Sequence, residues 1–222
     1  MYKASKAEEV FAYIKKQILS GEWKEGERLN DALLAEDIGV SRSSVREALF
    51  RLVETGVISK EYWKGYFIRE ITDQIVSEVV QVRIALESCA IRNFVMEASQ
   101  EYIDELQRII DASKACLENQ QNVEYMLTDY SFHEFIYQKQ HNQFIVSTMD
   151  NLQLIIHSIR RKSMGDDEVF VESAKNSIAW HQKMLDAIKT RNPDYAAEML
   201  EGHLRVHHSE AIHNGKADKT VR

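Results

Sequence analysis

Three histidines and one aspartate interrupt apolar stripes in the second half of this 222-residue sequence. Asp129 and His133 lie one helical turn apart in a stripe whose other members are apolar, so both side chains are expected to point inward. His181 and His203 each interrupt a run of aliphatic residues with helical spacing. Burying one carboxylate and three imidazoles costs several kcal/mol unless a partner satisfies them, and a divalent metal ion is such a partner. The four residues are therefore a candidate metal site.

The donor set narrows the choice of ion. Three nitrogen ligands and one oxygen ligand favour zinc or nickel, followed by manganese, cobalt or iron, whereas calcium prefers oxygen ligands alone. Other interpretations remain open. A single inward histidine is often a hydrogen-bonded core residue, and an Asp–His pair one turn apart can be an ion pair. His207, four residues beyond His203, can also replace it as a ligand.

Arg83 is the candidate residue for binding an anionic effector. It lies among aliphatic residues on an inward stripe of its own helix. A guanidinium fork beside a cavity that holds a cation suits the carboxylate of a small organic acid. The alternative is an ion pair between Arg83 and Glu87, four residues later. Arg160 or Arg161 is a further alternative for the effector contact.

A second group of polar residues begins a short helix in the first part of the chain. Arg42, Ser43, Ser44 and Arg46 lie opposite the apolar face of that helix. A helix in the major groove reads base edges with its N-terminal residues, and arginine can donate two hydrogen bonds to guanine. Serine hydroxyls and a helix N-terminus suit phosphate oxygens. We predict DNA contact by these residues; the alternative is a solvated face in which an arginine pairs with Glu47.

The helices around these arginines follow the pattern of a helix-turn-helix. A first helix is expected to end at Gly21, and a second to begin at Asn30 or Asp31 and to end at Gly39. Ser41 then caps the helix that carries the arginines. Two short helices joined by a tight turn that contains glycine are typical of this motif.

A hairpin is predicted directly after these helices. Residues 57–60 and 66–69 have strand-like composition, and Lys64 and Gly65 lie in the turn between them. Such a hairpin is the wing of a winged helix-turn-helix. Lys64 at its tip is a candidate contact to a phosphate or to the minor groove.

The distribution of glycine and proline divides the chain. Five of the eight glycines lie in the first 70 residues, and residues 66–164 contain neither glycine nor proline. Helices joined by short polar connections tolerate such a stretch, whereas strands joined by turns do not. We predict a mainly α protein with a turn-rich domain at residues 1–70, a link at 71–75 and an all-helical domain at 76–222. The predicted helices of the second part are 73–98, 101–119, 122–140, 143–164, 168–190 and 193–213.

Composition excludes several classes of protein. The hydrophobic share of 44% is enough for a core, and no apolar run is long enough to span a membrane. The N-terminus turns acidic early, which argues against a signal peptide, and two cysteines, Cys89 and Cys116, are too few for a disulfide framework. A cytoplasmic location is therefore expected. The net charge of −7 does not exclude DNA as a partner, since residues 1–70 carry 12 basic and 12 acidic side chains.

Residues 39–49, GVSRSSVREAL, together with residues 25–30 and 34–36, resemble the DNA-binding domain of GntR-family bacterial transcription regulators. The resemblance covers about residues 8–69. It implies a winged helix-turn-helix that binds a short palindromic operator as a dimer. The DNA-contacting positions of the family then fall on the residues Arg42, Ser44, Arg46 and Gly65.

Two positions depart from the family pattern. Many relatives have an arginine where this chain has Ala32, so one expected DNA contact is missing. The proline that usually precedes the Gly-Glu-Arg-Leu turn is Glu25 here, which is a smaller deviation.

The second part of the chain resembles the FCD ligand-binding domain of the FadR-type GntR subfamily, over about residues 76–213. Residues 82–87 and 129–133 and the 22-residue spacing from His181 to His203 carry the resemblance. It implies a helical bundle that binds a divalent metal through Asp129, His133, His181 and His203, and small organic acids beside the metal. A divergent branch lacks the metal and binds acyl-CoA, and the full ligand set argues against that branch.

Together these observations predict a homodimeric transcription regulator, a repressor or, as the alternative, an activator, whose operator affinity depends on a small carboxylate bound at a divalent metal site. A regulator that senses the metal alone is an alternative, and a metal-dependent hydrolase is a weaker one. Glu134 follows His133 directly and points about 100° away from it on a helix, so the His-Glu-x-x-His arrangement of a metalloprotease is absent from the sequence. We therefore predict that the protein is not an enzyme.

Overall fold

The computed structural model describes residues 5–163 and 167–217, and within these ranges the chain is mainly helical. The elements follow in the order α1 Lys6–Ser20, β1 Arg28–Leu29, α2 Asp31–Ile38, α3 Arg42–Glu54, β2 Ile58–Glu61, β3 Gly65–Ile68, α4 Asp73–Glu97, α5 Gln100–Glu118, α6 Asn122–Gln138, α7 Gln143–Ser163, α8 Asp167–Lys189 and α9 Pro193–Ala217. The predicted fold class, a winged helix-turn-helix followed by an all-α bundle, is confirmed.

The chain forms two compact units. The first consists of the described residues up to Thr72 together with Asn151–Ile159, which are part of α7. The second consists of Asp73–Asp150 and the described residues from Arg160 onward. The division after Thr72 falls inside the link predicted at residues 71–75. Residues 151–159 are predicted from sequence to be part of the bundle, but Leu154 is part of the hydrophobic core of the first unit.

The helix ends of the first unit are determined by the predicted capping residues. Gly21 and Gly39 end α1 and α2 in the left-handed conformation, in which glycine has no steric penalty. The side chain of Asn30, rather than that of Asp31, caps α2 by accepting from two backbone N–H groups. Ser41 caps α3 by accepting from the backbone N–H of Ser44. The tight turn between α2 and α3 is thereby fixed at both ends.

The wing is a three-stranded antiparallel sheet in the order β1-β3-β2. The predicted hairpin is confirmed with its strands shifted by one residue toward the turn, so that Glu61 pairs with Gly65. Strand β1 was not predicted, because two residues are too few to show an alternating pattern.

The second unit contains α4 to α6, α8, α9 and the rest of α7. Helix α4 packs along α9, α5 along α6, and α8 along α9. The ends of these helices differ from the predicted ends by at most a few residues. Three of them, α6, α8 and α9, carry the candidate metal ligands. Within the described ranges, no helix combines the length and the apolar character needed to cross a membrane.

The contact between α9 and α8 depends on Gly202. A Cβ atom at this position would lie 2.8 Å from Trp180 Cη2 and 3.0 Å from Cζ3. Relieving such a contact costs about 1–3 kcal/mol, which exceeds the roughly 1 kcal/mol that alanine contributes over glycine inside a helix. We therefore expect Gly202→Ala to lower the free energy of unfolding by about 1 kcal/mol, measured by urea denaturation. The double variant with Trp180→Leu should recover that loss, and an unchanged midpoint for Gly202→Ala alone would contradict the packing.

Candidate functional site

Three of the four predicted metal ligands meet inside the second unit. His133 on α6, His181 on α8 and His203 on α9 are buried, and one ligand atom of each lies within 4.8 Å of the others. His133 Nε2 lies 3.1 Å from His203 Nε2 and 3.2 Å from His181 Nε2. Two nitrogens bound to one metal at about 2.1 Å are separated by about 3.0–3.4 Å, depending on the coordination angle. The spacing of the imidazoles therefore suits a shared ion.

Glu87 on α4 orients the central histidine of this group. Its Oε2 lies 2.7 Å from His133 Nδ1, and its Oε1 accepts from Arg83 Nε at 2.6 Å. Burial acts to raise the pKa of Glu87, but the charges of Arg83 and His133 outweigh it and lower that pKa to about 2. An ionised carboxylate can only accept, so Nδ1 of His133 is the donor, and Nε2 is the nitrogen that faces the other two histidines.

A hydrogen-bonded histidine core explains this group less well. The pKa values of His181 and His203 are lowered well below 6.5, chiefly by burial, so both rings are neutral at pH 7. His181 and His203 both turn Nε2 toward His133 Nε2, and one ring nitrogen has a single lone pair or a single proton, so it cannot pair well with both. In addition, His203 Nδ1 is buried and has no hydrogen-bond partner among the described residues. The donor set fits a divalent cation, and the neutral rings of His181 and His203 are in the form that coordinates one.

Asp129, the fourth predicted ligand, lies beside the three histidines and is bound by protein donors. Its Oδ1 is 4.0 Å from His181 Nε2 and accepts from the hydroxyls of Tyr125 and Ser177. Its Oδ2 accepts from Arg160 Nη2 at 2.6 Å. Burial acts to raise the pKa of Asp129, but Arg160 and the neighbouring histidines outweigh it and lower that pKa. The carboxylate is therefore ionised and adjacent to the histidines.

The predicted effector residue, Arg83, lies inward on α4, as its apolar stripe predicts. It is buried and forms the ion pair with Glu87 that was the alternative interpretation. Glu87, the partner of Arg83 in that pair, also binds His133 Nδ1. We therefore do not assign the effector to Arg83. Arg160, named as another alternative, is the guanidinium beside the site, and its Nη1 also lies 2.9 Å from His207 Nδ1.

His207 is buried next to the site but does not replace His203. The two ring centroids are 4.5 Å apart, whereas His207 Nδ1 faces Glu210 Oε2 at 2.8 Å and Arg160. His203 is the residue whose Nε2 meets His133. Sequence spacing does not decide between the two residues, because both lie on the same face of α9.

Two supporting residues of the site, Tyr125 and Ser177, were not predicted, and Glu87 was named only as a partner of Arg83, although the sequence contains a signal for all three. Each lies four residues from a predicted site residue on the same helix: Tyr125 precedes Asp129, Ser177 precedes His181, and Glu87 follows Arg83. Residues four apart share one helix face, so a polar residue one turn from a buried polar residue is a candidate partner.

The predicted DNA-contacting residues lie together at the start of α3 in the first unit. Arg42 and Arg46 are exposed and pair with Asp31 on α2, not with Glu47 as the alternative had it. Ser43 and Ser44 hydroxyls lie 2.8 and 2.9 Å from Ser41 Oγ. At this helix N-terminus the two guanidinium groups are therefore exposed to solvent, and the serine hydroxyls lie against Ser41.

The tip of the wing carries further exposed groups. Lys64 Nζ lies 2.9 Å from Glu61 Oε2, and Gly65 adopts φ 106°, as predicted for a turn glycine. Trp63, which is not among the predicted site residues, is fully exposed with φ 66°. A position with φ > 0 is uncommon for any residue with a Cβ, and no periodic pattern reveals it.

Comparison with known proteins matches both units to described families. Residues 6–68 match the family described as bacterial regulatory proteins, gntR family, and residues 78–206 match the FCD domain. The chain is 27% identical over 207 residues to the uncharacterized HTH-type transcriptional regulator YdhC of Bacillus subtilis (strain 168), covering 91% of both chains. It is 26% identical over 199 residues to the gluconate operon transcriptional repressor of Bacillus licheniformis, covering 89% of this chain and 82% of the relative.

Solved structures show the same fold. A putative GntR transcriptional regulator from Rhodococcus sp. RHA1 superposes with a TM-score of 0.79 at 19% identity, covering 94% of this chain and 98% of that one. The metal-free FCD domain of TM0439 superposes with a TM-score of 0.54 at 19% identity, covering 65% of this chain and 96% of that one. The chain therefore belongs to the GntR family of bacterial regulatory proteins with an FCD domain, and it is a DNA-binding transcription regulator rather than an enzyme.

Proposed function

We propose that this protein is a cytoplasmic repressor whose operator affinity is controlled by a small organic acid bound at a divalent metal site. The ion is held by Asp129, His133, His181 and His203. It is zinc or nickel, and manganese, cobalt and iron are the alternatives. The observation that carries the proposal is the convergence of three buried imidazoles, with Nε2 separations of 3.1 and 3.2 Å around His133.

A bound cation would supply a Lewis-acid site for the carboxylate of the effector. The residues of the chain determine which ligand fits beside it. Arg160 is a half-buried cation whose donors already bind the Asp129 carboxylate, so a second carboxylate entering the site would compete with Asp129 for the same guanidinium. This geometry favours an anionic effector over a neutral one.

Helix α7 contains residues of both units, so this one helix connects the site to the DNA-binding unit. Its residues Asn151–Ile159 belong to the first unit, and Arg160, the next residue, belongs to the second. A change in the partner of Arg160 therefore acts on the helix that also contributes Leu154 to the core of the first unit. We propose that effector binding alters the spacing of the DNA-binding units in this way.

DNA binding itself is proposed to use Arg42, Ser43, Ser44 and Arg46 in the major groove, with Lys64 and Gly65 of the wing on the backbone or in the minor groove. A homodimer would place two copies of α3 on the half-sites of a palindromic operator, about 34 Å apart. The exposed arginines at the N-terminus of α3 support this assignment.

A thermal-shift screen tests the effector proposal. We expect at least one small carboxylate, added with zinc or nickel, to raise the unfolding midpoint, because ligand at 100 times its Kd contributes about 2.7 kcal/mol, or roughly 5–10 °C for a chain of this size. Asp129→Ala should abolish the shift, and Asp194→Ala, which removes an exposed aspartate of the same unit, should preserve it. A shift that persists in Asp129→Ala would place the acid elsewhere.

A further inference from the structure

One carboxylate accepts hydrogen bonds from both arginines at the N-terminus of α3. Asp31, the first residue of α2, accepts from Arg42 Nη2 at 3.1 Å through Oδ1 and at 3.3 Å through Oδ2. Its Oδ2 also accepts from Arg46 Nε at 2.5 Å. The two arginines lie on consecutive turns of α3, so a single side chain of the neighbouring helix connects them.

Both arginines keep N–H donors that do not bind Asp31 and that are available for contacts with bases. Arg46 uses Nε for Asp31, so its two terminal Nη groups remain for a pair of acceptors such as guanine O6 and N7. Arg42 uses Nη2 and keeps Nε and Nη1. More than half of each arginine side chain is exposed, at 57% and 59%, whereas Asp31 is exposed by 19%. The carboxylate therefore lies behind the guanidinium groups rather than in front of them.

The same carboxylate reduces the net charge of this surface. Two cations and one anion leave a single positive charge where two arginines alone would leave two. Burial acts to raise the pKa of Asp31, but its hydrogen bonds to Arg46 and Arg42 and their charges lower it, so the carboxylate is ionised at neutral pH. Attraction to phosphates grows with the number of available cations and carries no sequence information.

We propose that Asp31 is a specificity-determining residue of the DNA-binding surface: it orients Arg42 and Arg46 toward base edges and reduces their attraction to DNA of any sequence. This inference rests on the proposed DNA contacts of the two arginines. It assigns to Asp31 a positioning role, which differs from a direct contact with DNA.

The test measures discrimination between two duplexes. The first is a duplex selected by the wild-type protein from a randomised library, and the second has the same length and a scrambled sequence. We expect Asp31→Ala to bind the scrambled duplex more tightly and the selected duplex no better than wild type does. The ratio of the two affinities should fall by about tenfold, the size of one lost bidentate contact. The salt dependence of binding to the scrambled duplex should steepen by up to about one unit of slope.

Two variants separate the orientation of the arginines from the loss of one negative charge on α2. Asp37→Ala removes an exposed carboxylate from the same helix without touching either arginine, and it should change both affinities by the same factor. Asp31→Glu keeps the carboxylate and should restore most of the affinity ratio. Equal ratios for Asp31→Ala and Asp37→Ala, or an equal loss of affinity for both duplexes in Asp31→Ala, would overturn the proposal. If the wild-type protein selects no duplex at all, the DNA contacts themselves are wrong, which is a different failure.

Discussion

Replacing His181 with alanine is expected to lower the affinity for zinc and nickel by more than a hundredfold. His181 Nε2 lies 3.2 Å from His133 Nε2, and removing it leaves two imidazoles and a carboxylate that Arg160 already binds. Loss of a residue that only supports a ligand typically reduces metal affinity by about 10–100-fold, so loss of a ligand should exceed that range. Isothermal titration of metal-stripped protein measures the difference directly.

Two further variants calibrate that result. Glu87→Gln keeps an acceptor beside His133 Nδ1 but removes its charge, and we expect it to lower metal affinity by about 10–100-fold, which is less than the effect of His181→Ala. His141→Ala removes an exposed imidazole and should leave the affinity unchanged. Retention of wild-type metal affinity in His181→Ala would show that the three histidines are a hydrogen-bonded core rather than a metal site.

Replacing Arg46 with alanine is expected to reduce affinity for the selected duplex by about 10–100-fold. The side chain is exposed at the start of α3, and a bidentate contact to guanine contributes about 1–3 kcal/mol of discrimination. Affinity for a scrambled duplex should change far less, because that binding depends on phosphates contacted by many cations. Fluorescence anisotropy with both duplexes measures the two affinities.

Arg51→Ala is the matched control for that experiment. It removes the same charge from the last turn of α3, where the guanidinium lies 4.8 Å from the ring centroid of Phe11. We expect a small and equal change for both duplexes. If Arg46→Ala and Arg51→Ala had the same effect, the N-terminal turn of α3 would not be the reading surface.

The sequence was sufficient to predict the helices and the inward histidines, for identifiable physical reasons. Capping residues such as Ser41 and Gly39 determine where helices end by local hydrogen bonding and backbone conformation, so neighbouring residues are enough to recognise them. His181 and His203 were recognisable because each interrupts an apolar stripe, and helical periodicity does not depend on the rest of the fold.

Contacts between helices were harder to predict, because they depend on how the helices pack. Arg46 has Glu47 beside it in sequence, yet its partner is Asp31 on the preceding helix. In the same way, Arg160 on α7 binds Asp129 on α6, whereas Arg83 binds Glu87 on its own helix. Arg46 and Arg83 each have an acidic residue nearby in the sequence, and only the packing of the helices decides whether that residue or a distant one is the partner.

The most direct test of the central claim follows operator affinity while the metal site is filled stepwise. Metal-stripped protein is titrated onto the selected duplex, first alone, then with zinc, and then with zinc and the carboxylate that gives the largest thermal shift. We predict that the carboxylate weakens binding to the duplex in the wild-type protein and has no effect in His181→Ala. A duplex affinity that responds to zinc but stays constant when the carboxylate is added would contradict the account and identify the protein as a sensor of the metal alone.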